Sequence, residues 1–135
     1  MVGKELAARL AEEFIELDAL IEKKAGRPIP EIFEQDGEIA FRSLEIEATK
    51  EVAGRKNTVI ACGGGIVLNK INIDRLKQEC LIVYLKATPS VILKRVSQGD
   101  SERPLLKVAN PNLAIRELLK FRKPFYERAA DITID

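Results

Sequence analysis

The run Thr58-Val59-Ile60-Ala61-Cys62, closed by Gly63-Gly64-Gly65, constrains this chain more than any other stretch. Apolar, largely β-branched residues without polar alternation read as a strand buried on both faces, over residues 59–62. Such a strand belongs to a parallel sheet covered by helices. Three glycines at its carboxyl end put no side chain in the way, so a ligand or another backbone can come close. In open α/β sheets, ligands bind just beyond the carboxyl ends of the strands. The competing reading is a tight structural turn, for which one glycine would serve.

The rest of the chain alternates in kind. Residues 2–13 read as a helix with Val2, Leu6 and Leu10 on one face. Residues 14–18 read as a short strand ending in acid. Helices follow over 19–26, 28–36 and 38–53, punctuated by Gly26, Gly37 and Gly54, with Phe41, Leu44, Ala48 and Val52 at helical spacing. Beyond the glycine triplet, residues 72–79 read as a helix with Asn72 as a candidate cap. Residues 80–85 read as a buried strand and 90–97 as a helix. Residues 98–110 form a charged loop. A helix opens at Asn110-Pro111 and runs to about residue 130, with Pro124 expected to kink it or mark a junction. Residues 131–135 make a last strand. Strands separated by helices predict one parallel sheet covered on both faces, in a single domain over 1–135.

Composition narrows the function. The chain has 135 residues, 46% hydrophobic and 32% charged, enough for a core and a solvated surface. A net charge of +1 gives no field that favours nucleic acid or a membrane. With no histidine, His-based acid–base chemistry is excluded. Two cysteines, Cys62 and Cys80, sit in or beside apolar strands and read as buried free thiols of a reducing, cytoplasmic compartment.

The candidate chemistry lies at the ends of these elements. Glu16 and Asp18 stand two apart at a strand's end, on one side if the strand continues that far. Paired carboxylates there can hold Mg²⁺ through water or accept a hydroxyl proton; solvated surface acid with a helix cap is the plainer reading. Arg42, Arg103 and Arg122 come from separate segments and suit an anionic ligand, because a guanidinium binds carboxylate and phosphate bidentately. Each is otherwise a surface charge.

Taken together, the segments resemble shikimate kinase, of the nucleoside-monophosphate-kinase-like branch of P-loop kinases. The resembling stretches are Val2-Gly3-Lys4-Glu5-Leu6-Ala7, Phe14-Ile15-Glu16-Leu17-Asp18, Ile29-Pro30-Glu31-Ile32-Phe33, Gly37 through Phe41-Arg42, Gly63-Gly64-Gly65, Arg103-Pro104-Leu105-Leu106, Arg122-Lys123-Pro124-Phe125-Tyr126 and the end from Ala130 to Asp135. They stand in family order and spacing along the whole chain. The resemblance implies a P-loop kinase-like three-layer α/β/α fold, with substrate-binding helices over about 19–53 and a lid over about 98–109. It implies transfer of the γ-phosphate of ATP to the 3-hydroxyl of shikimate, with Mg²⁺, in a monomeric enzyme. Asp18 would bind shikimate hydroxyls near the oxygen that loses its proton. Arg42 and Arg122 would clamp the shikimate carboxylate, and the amides of Gly63, Gly64 and Gly65 would face the same substrate. Arg103 would reach the transferred phosphate, Arg95 would lie near adenine, and Glu16 would support Mg²⁺ where the family normally has Asp.

The resemblance departs at the start. The family opens with a strand and the loop GxxxxGK[ST], and Met1 falls just after it; Gly3-Lys4-Glu5 is not that loop, because Glu5 stands where Ser or Thr is needed. The expectation is a sheet missing its first, central strand in the order 2-3-1-4-5, a missing helix after Asp135, and a chain inactive as written. Two other readings are a catalytically dead binding or regulatory module, and a kinase of another small polyol acid such as gluconate. Phe41-Arg42 with Gly63–Gly65 and Arg122 favours shikimate over the latter.

Overall fold

A computed structural model describes residues 2–87, 91 and 111–135. The helix expected over 90–97 and the lid over 98–109 lie outside the described residues, but for Val91, which is helical. The chain divides into two units, Met1–Cys80 and Leu81–Asp135.

In the first unit, β1 (Glu13–Glu16) pairs in parallel with β2 (Thr58–Ala61), Glu13 opposite Thr58 and Glu16 opposite Ala61. Helix α1 (Val2–Leu10) packs on both strands. Its buried face is made of small residues. Ala7 is fully buried, and a Cβ on Gly3 would stand 3.0 Å from Phe14 Cε1. The stripe expected to be buried, Val2, Leu6 and Leu10, is exposed instead. A helix this close to the Phe14 ring has room only for Gly and Ala on the contact face, so its larger apolar residues point elsewhere. The helix ends earlier than expected, in a Schellman turn. Ala11 N–H donates to Ala8 O at 3.2 Å and Glu12 N–H to Ala7 O at 2.9 Å, with Ala11 left-handed at φ 54°.

Helices α2 (Leu17–Ala25), α3 (Ile29–Asp36) and α4 (Glu38–Val52) pack against one another. Leu17, Ile21, Ile32, Phe41, Ala48 and Val52 form their core. Each fully buried Leu or Ile contributes about 1.5–3 kcal/mol. Gly26, left-handed at φ 70°, ends α2 as expected, and the Glu22 carboxylate accepts the free N–H of Ile29 at the start of α3. The rings of Phe33 and Phe41 stack at 4.8 Å and hold α3 on α4.

Beyond β2, Gly64–Leu68 winds into a 3₁₀ turn, and α5 (Lys70–Glu79) packs on that turn and on α4. Helix α5 starts two residues before the expected position. Asn69, not Asn72, is its cap residue, and no side chain caps it. Strand β2 is half-buried rather than enclosed, and Cys62, expected to be buried, is exposed. Among the described residues, β1 is the sole neighbour of β2, so one ladder edge of β2 is open.

In the second unit, β3 (Val83–Leu85) pairs in parallel with β4 (Ile132–Ile134). The strand expected over 80–85 begins only at Val83, because the N–H of Ile82 is taken by the Asp131 carboxylate rather than by a ladder. Nor is it buried: Val83, Leu85, Ile132 and Ile134 are exposed, and among the described residues this sheet has two strands. Helix α6 (Pro111–Ala129) passes through Pro124 without a junction, burying Ile115, Arg122 and Ala129. Tyr126 of α6 stacks on Tyr84 of β3 at 5.0 Å.

Candidate active site

Strand β1 stops at Glu16 and α2 begins at Leu17, so Asp18 is not a strand residue. The alternation that would have put Glu16 and Asp18 on one side does not apply. Asp18 occupies the first turn of α2, where free N–H groups and the helix dipole favour a carboxylate. Its carboxylate lies against Gly63, where a Cβ would stand 3.2 Å from Oδ1. Glu16 holds the cap position of the same helix, is exposed, and makes no capping bond.

Arg42 reaches the triplet from α4. A Cβ on Gly65 would fall 2.1 Å from Arg42 Nη1 and 2.7 Å from both Cζ and Nη2. Gly65 is therefore glycine because a guanidinium occupies the place of its side chain. Backbone torsion is not the reason: among the described residues the glycines with positive φ are Gly26 and Gly37, and Gly63 has φ −68°.

Arg42 is pinned from below. Nη1 donates to Glu45 Oε1 at 3.2 Å and Oε2 at 3.4 Å, and Nη2 donates to Glu38 Oε1 at 3.3 Å. The guanidinium also lies 5.2 Å from the centroid of the Phe41 ring. Glu45 is 1% exposed, and a carboxylate buried that deeply requires a cation. Arg42 Nε is itself buried with no hydrogen-bond partner. The result is a cation fixed in place with unspent donor capacity, suited to an anion. Glu45 was missed by sequence reasoning. Its signal was present: it falls on the stripe Phe41, Glu45, Ala48, Val52, where an acid interrupts an apolar pattern one turn from an arginine.

Cys62 is exposed, but protein atoms crowd round it at the end of β2 and partly desolvate the thiol. That desolvation, with the nearby carboxylates of Glu45 and Asp18 adding, pushes the thiol up to about 12. A raised thiol pKa leaves little thiolate at neutral pH and makes Cys62 a weak nucleophile.

Asp18, Arg42, Gly63 and Gly65 are thus brought together. Arg122 stands on α6 in the second unit. It is 7% exposed, and its Nε, like that of Arg42, is buried without a hydrogen-bond partner. Arg95 and Arg103 lie outside the described residues.

A family model for shikimate kinase matches residues 1–135. The chain belongs to the shikimate kinase family. It is 51% identical over 134 residues to a shikimate kinase from Caldanaerobacter subterraneus subsp. tengcongensis, covering 99% of this chain and 77% of that relative. It is 46% identical to a shikimate kinase from Thermoanaerobacter pseudethanolicus, with the same coverage. Among solved structures, the shikimate kinase of Acinetobacter baumannii in complex with shikimate superposes with a TM-score of 0.95 at 42% identity, over 99% of this chain and 74% of that one. The enzyme of Aquifex aeolicus gives 0.81 at 34% identity, over 99% and 77%. The P-loop kinase fold of the shikimate kinase family is therefore the fold of this chain, and the family is one of ATP-dependent phosphotransferases. No helix among the described residues is long and apolar enough to cross a membrane.

Proposed function

We propose that this chain is a shikimate kinase whose first unit carries the acceptor site. The observation that carries the reading is the Arg42 guanidinium, fixed over Gly65 by buried Glu45 and opening onto the cluster that holds Gly63 and Asp18. Arg42 takes the shikimate carboxylate with a planar fork that matches it bidentately, and the family resemblance assigns the same carboxylate to Arg122. Asp18 accepts hydrogen bonds from ring hydroxyls and sits beside the oxygen that loses its proton. The amides of Gly63, Gly64 and Gly65 face the same ring. In-line phosphoryl transfer asks for positioning and charge neutralisation more than covalent help, and a pinned Arg42 supplies the first. Arg103 and Arg95 are assigned to the transferred phosphate and to adenine.

Mg²⁺ belongs to the same proposal. No group of three or more acidic or Cys residues is placed to hold a metal among the described residues. A single exposed carboxylate, Glu16, suits an ion that keeps water and nucleotide phosphate as most of its ligands. The ion's part is to neutralise phosphate charge; Glu16 would orient its water. A monomeric, cytoplasmic enzyme completes the proposal, and the free thiols Cys62 and Cys80 suit a reducing compartment.

Calorimetric titration with shikimate, and with gluconate for comparison, tests the acceptor. Shikimate is expected to bind and gluconate not to. Arg42→Ala or Arg122→Ala should weaken shikimate by about 2–5 kcal/mol, the range for a desolvated charge pair. Equal binding of the two acids, or unchanged affinity in both variants, would overturn the assignment.

A further inference from the structure

The glycine turn is held from behind by a residue that serves neither as a helix cap nor as ordinary core. Asn72 is wholly buried in the first turn of α5. Its side-chain amide donates to the carbonyl of Ile66 at 3.3 Å, inside the 3₁₀ turn Gly64–Leu68. Ile66 is itself 5% exposed, and its N–H closes back on the carbonyl of Gly63 at 3.3 Å. One side chain therefore ties α5 to the backbone that continues directly into Gly63–Gly65. The other end of the same amide, Oδ1, is buried with no hydrogen-bond partner. A buried, unsatisfied carbonyl destabilises a fold, and an apolar residue of similar volume would avoid it. Filling space does not account for Asn72; the donor to Ile66 does.

We infer that Asn72 is a positioning residue: its amide fixes the curvature of the Gly64–Leu68 turn, and thereby where the amides of Gly64 and Gly65 point. The inference rests on the reading of Gly63–Gly65 as part of the acceptor site. The carbonyls of a short 3₁₀ segment lack the full ladder of an α-helix, so such a turn needs an outside donor to keep one geometry. Arg42 fixes the front of the turn by occupying the place of a Gly65 side chain, and Asn72 fixes the back.

The test compares the full chain with Asn72→Leu and Asn72→Asp by shikimate calorimetry, thermal unfolding and ¹⁵N–¹H correlation spectra. Asn72→Leu keeps the branching and heavy-atom count, in a somewhat larger side chain, and removes both the donor and the orphaned carbonyl. It is expected to lower Tm by a few degrees, because the Ile66 carbonyl loses its donor, to displace the amide signals of Gly64 and Gly65 in the ligand-free protein, and to weaken shikimate about five- to tenfold. Asn72→Asp keeps the shape but sets an acceptor against the Ile66 carbonyl, and should weaken binding further. In the unmutated chain, the side-chain NH₂ signal of Asn72 should shift when shikimate is added, a readout that stands even if a variant fails to fold. If the unmutated chain binds no shikimate, the acceptor-site reading fails and takes this inference with it. If the unmutated chain binds shikimate with no shift at Asn72, or if Asn72→Leu binds equally well with unmoved glycine signals, the positioning role alone is overturned.

Discussion

Gly65→Ala is the sharpest perturbation this architecture offers. A methyl at position 65 would sit 2.1 Å from Arg42 Nη1, so the guanidinium must retreat by about 1.3 Å to reach ordinary contact. The retreat is not free, because Nη1 is bonded to Glu45 at 3.2 and 3.4 Å and Nη2 to Glu38 at 3.3 Å. Stretching the pair by that much leaves the Glu45 carboxylate, 1% exposed, poorly compensated. Breaking a buried pair outright costs about 3–5 kcal/mol; partial retention puts the expected loss of stability at about 1–3 kcal/mol. Shikimate affinity should fall more than stability does, since the displaced group is the proposed carboxylate ligand. A loss of about 2–5 kcal/mol corresponds to roughly 30- to several-thousand-fold. Gly63→Ala is the internal comparison. Its methyl would meet Asp18 Oδ1 at 3.2 Å, a crowding that a few tenths of an ångström relieves, so its effect should stay below about tenfold. Urea unfolding and shikimate calorimetry on both variants give the numbers. Equal effects of the two substitutions, or a Gly65→Ala protein with unaltered affinity, would refute the claim that Arg42 occupies the glycine's side-chain space for a ligand.

Other expectations concern single groups. Arg122→Lys keeps the charge but loses the planar fork, so shikimate should bind about tenfold more weakly by calorimetry; full retention would mean that Arg122 acts as a point charge. Cys62, despite its exposed position, should react with iodoacetamide at pH 7 about 30–100-fold more slowly than an ordinary thiol, as followed by mass spectrometry, because so little of it is thiolate. Its pKa is raised by folding, so the neutral thiol's contribution to stability is intact below about pH 8.5 and is lost as pH climbs towards about 12; Cys62→Ser should flatten that alkaline decline in denaturation midpoints. Ala11 adopts φ 54° at the end of α1, a conformation that costs an L-residue about 1–2 kcal/mol, so Ala11→Gly should raise unfolding free energy by about 0.5–1 kcal/mol in urea titrations.

What was legible in the sequence was whatever depended on local chemistry. Gly26 and Gly37 marked helix ends because those turns need positive φ, and both have it. Of the stripe Phe41, Leu44, Ala48 and Val52, all but the half-buried Leu44 lie on the buried face of α4, because helical period and core packing agree there. What depended on tertiary neighbours was not legible. Val2, Leu6 and Leu10 have a sound helical period, yet Gly3 and Ala7 make the contact with β1 and β2, since closeness of approach rather than hydrophobicity decides that face. Residues 80–85 are apolar enough for a buried strand, but the Asp131 carboxylate claims the Ile82 N–H and the strand begins later. Asp18 looked like the end of a strand because the apolar run before it has no helical signal. The helix takes over at Leu17, a residue that serves either state.

The glycine triplet shows how the same letters can be read correctly in outcome and incorrectly in cause. Its glycines suggested freedom of φ, and the turn uses none. Gly63 is extended at φ −68°, and Gly65 lies within a 3₁₀ segment open to any residue by torsion alone. The constraint comes from 23 positions upstream, where Arg42 is held by a carboxylate that α4 buries among Phe41, Ala48 and Val52. A buried acid is expensive without its cation, and a cation fixed by that acid cannot yield to a side chain at position 65. Stability and specificity are therefore coupled at one contact. Glu45 makes Arg42 rigid, rigid Arg42 makes position 65 glycine, and that glycine leaves Nη1 and Nη2 lying over bare backbone at the end of β2, where the fold class places its ligand.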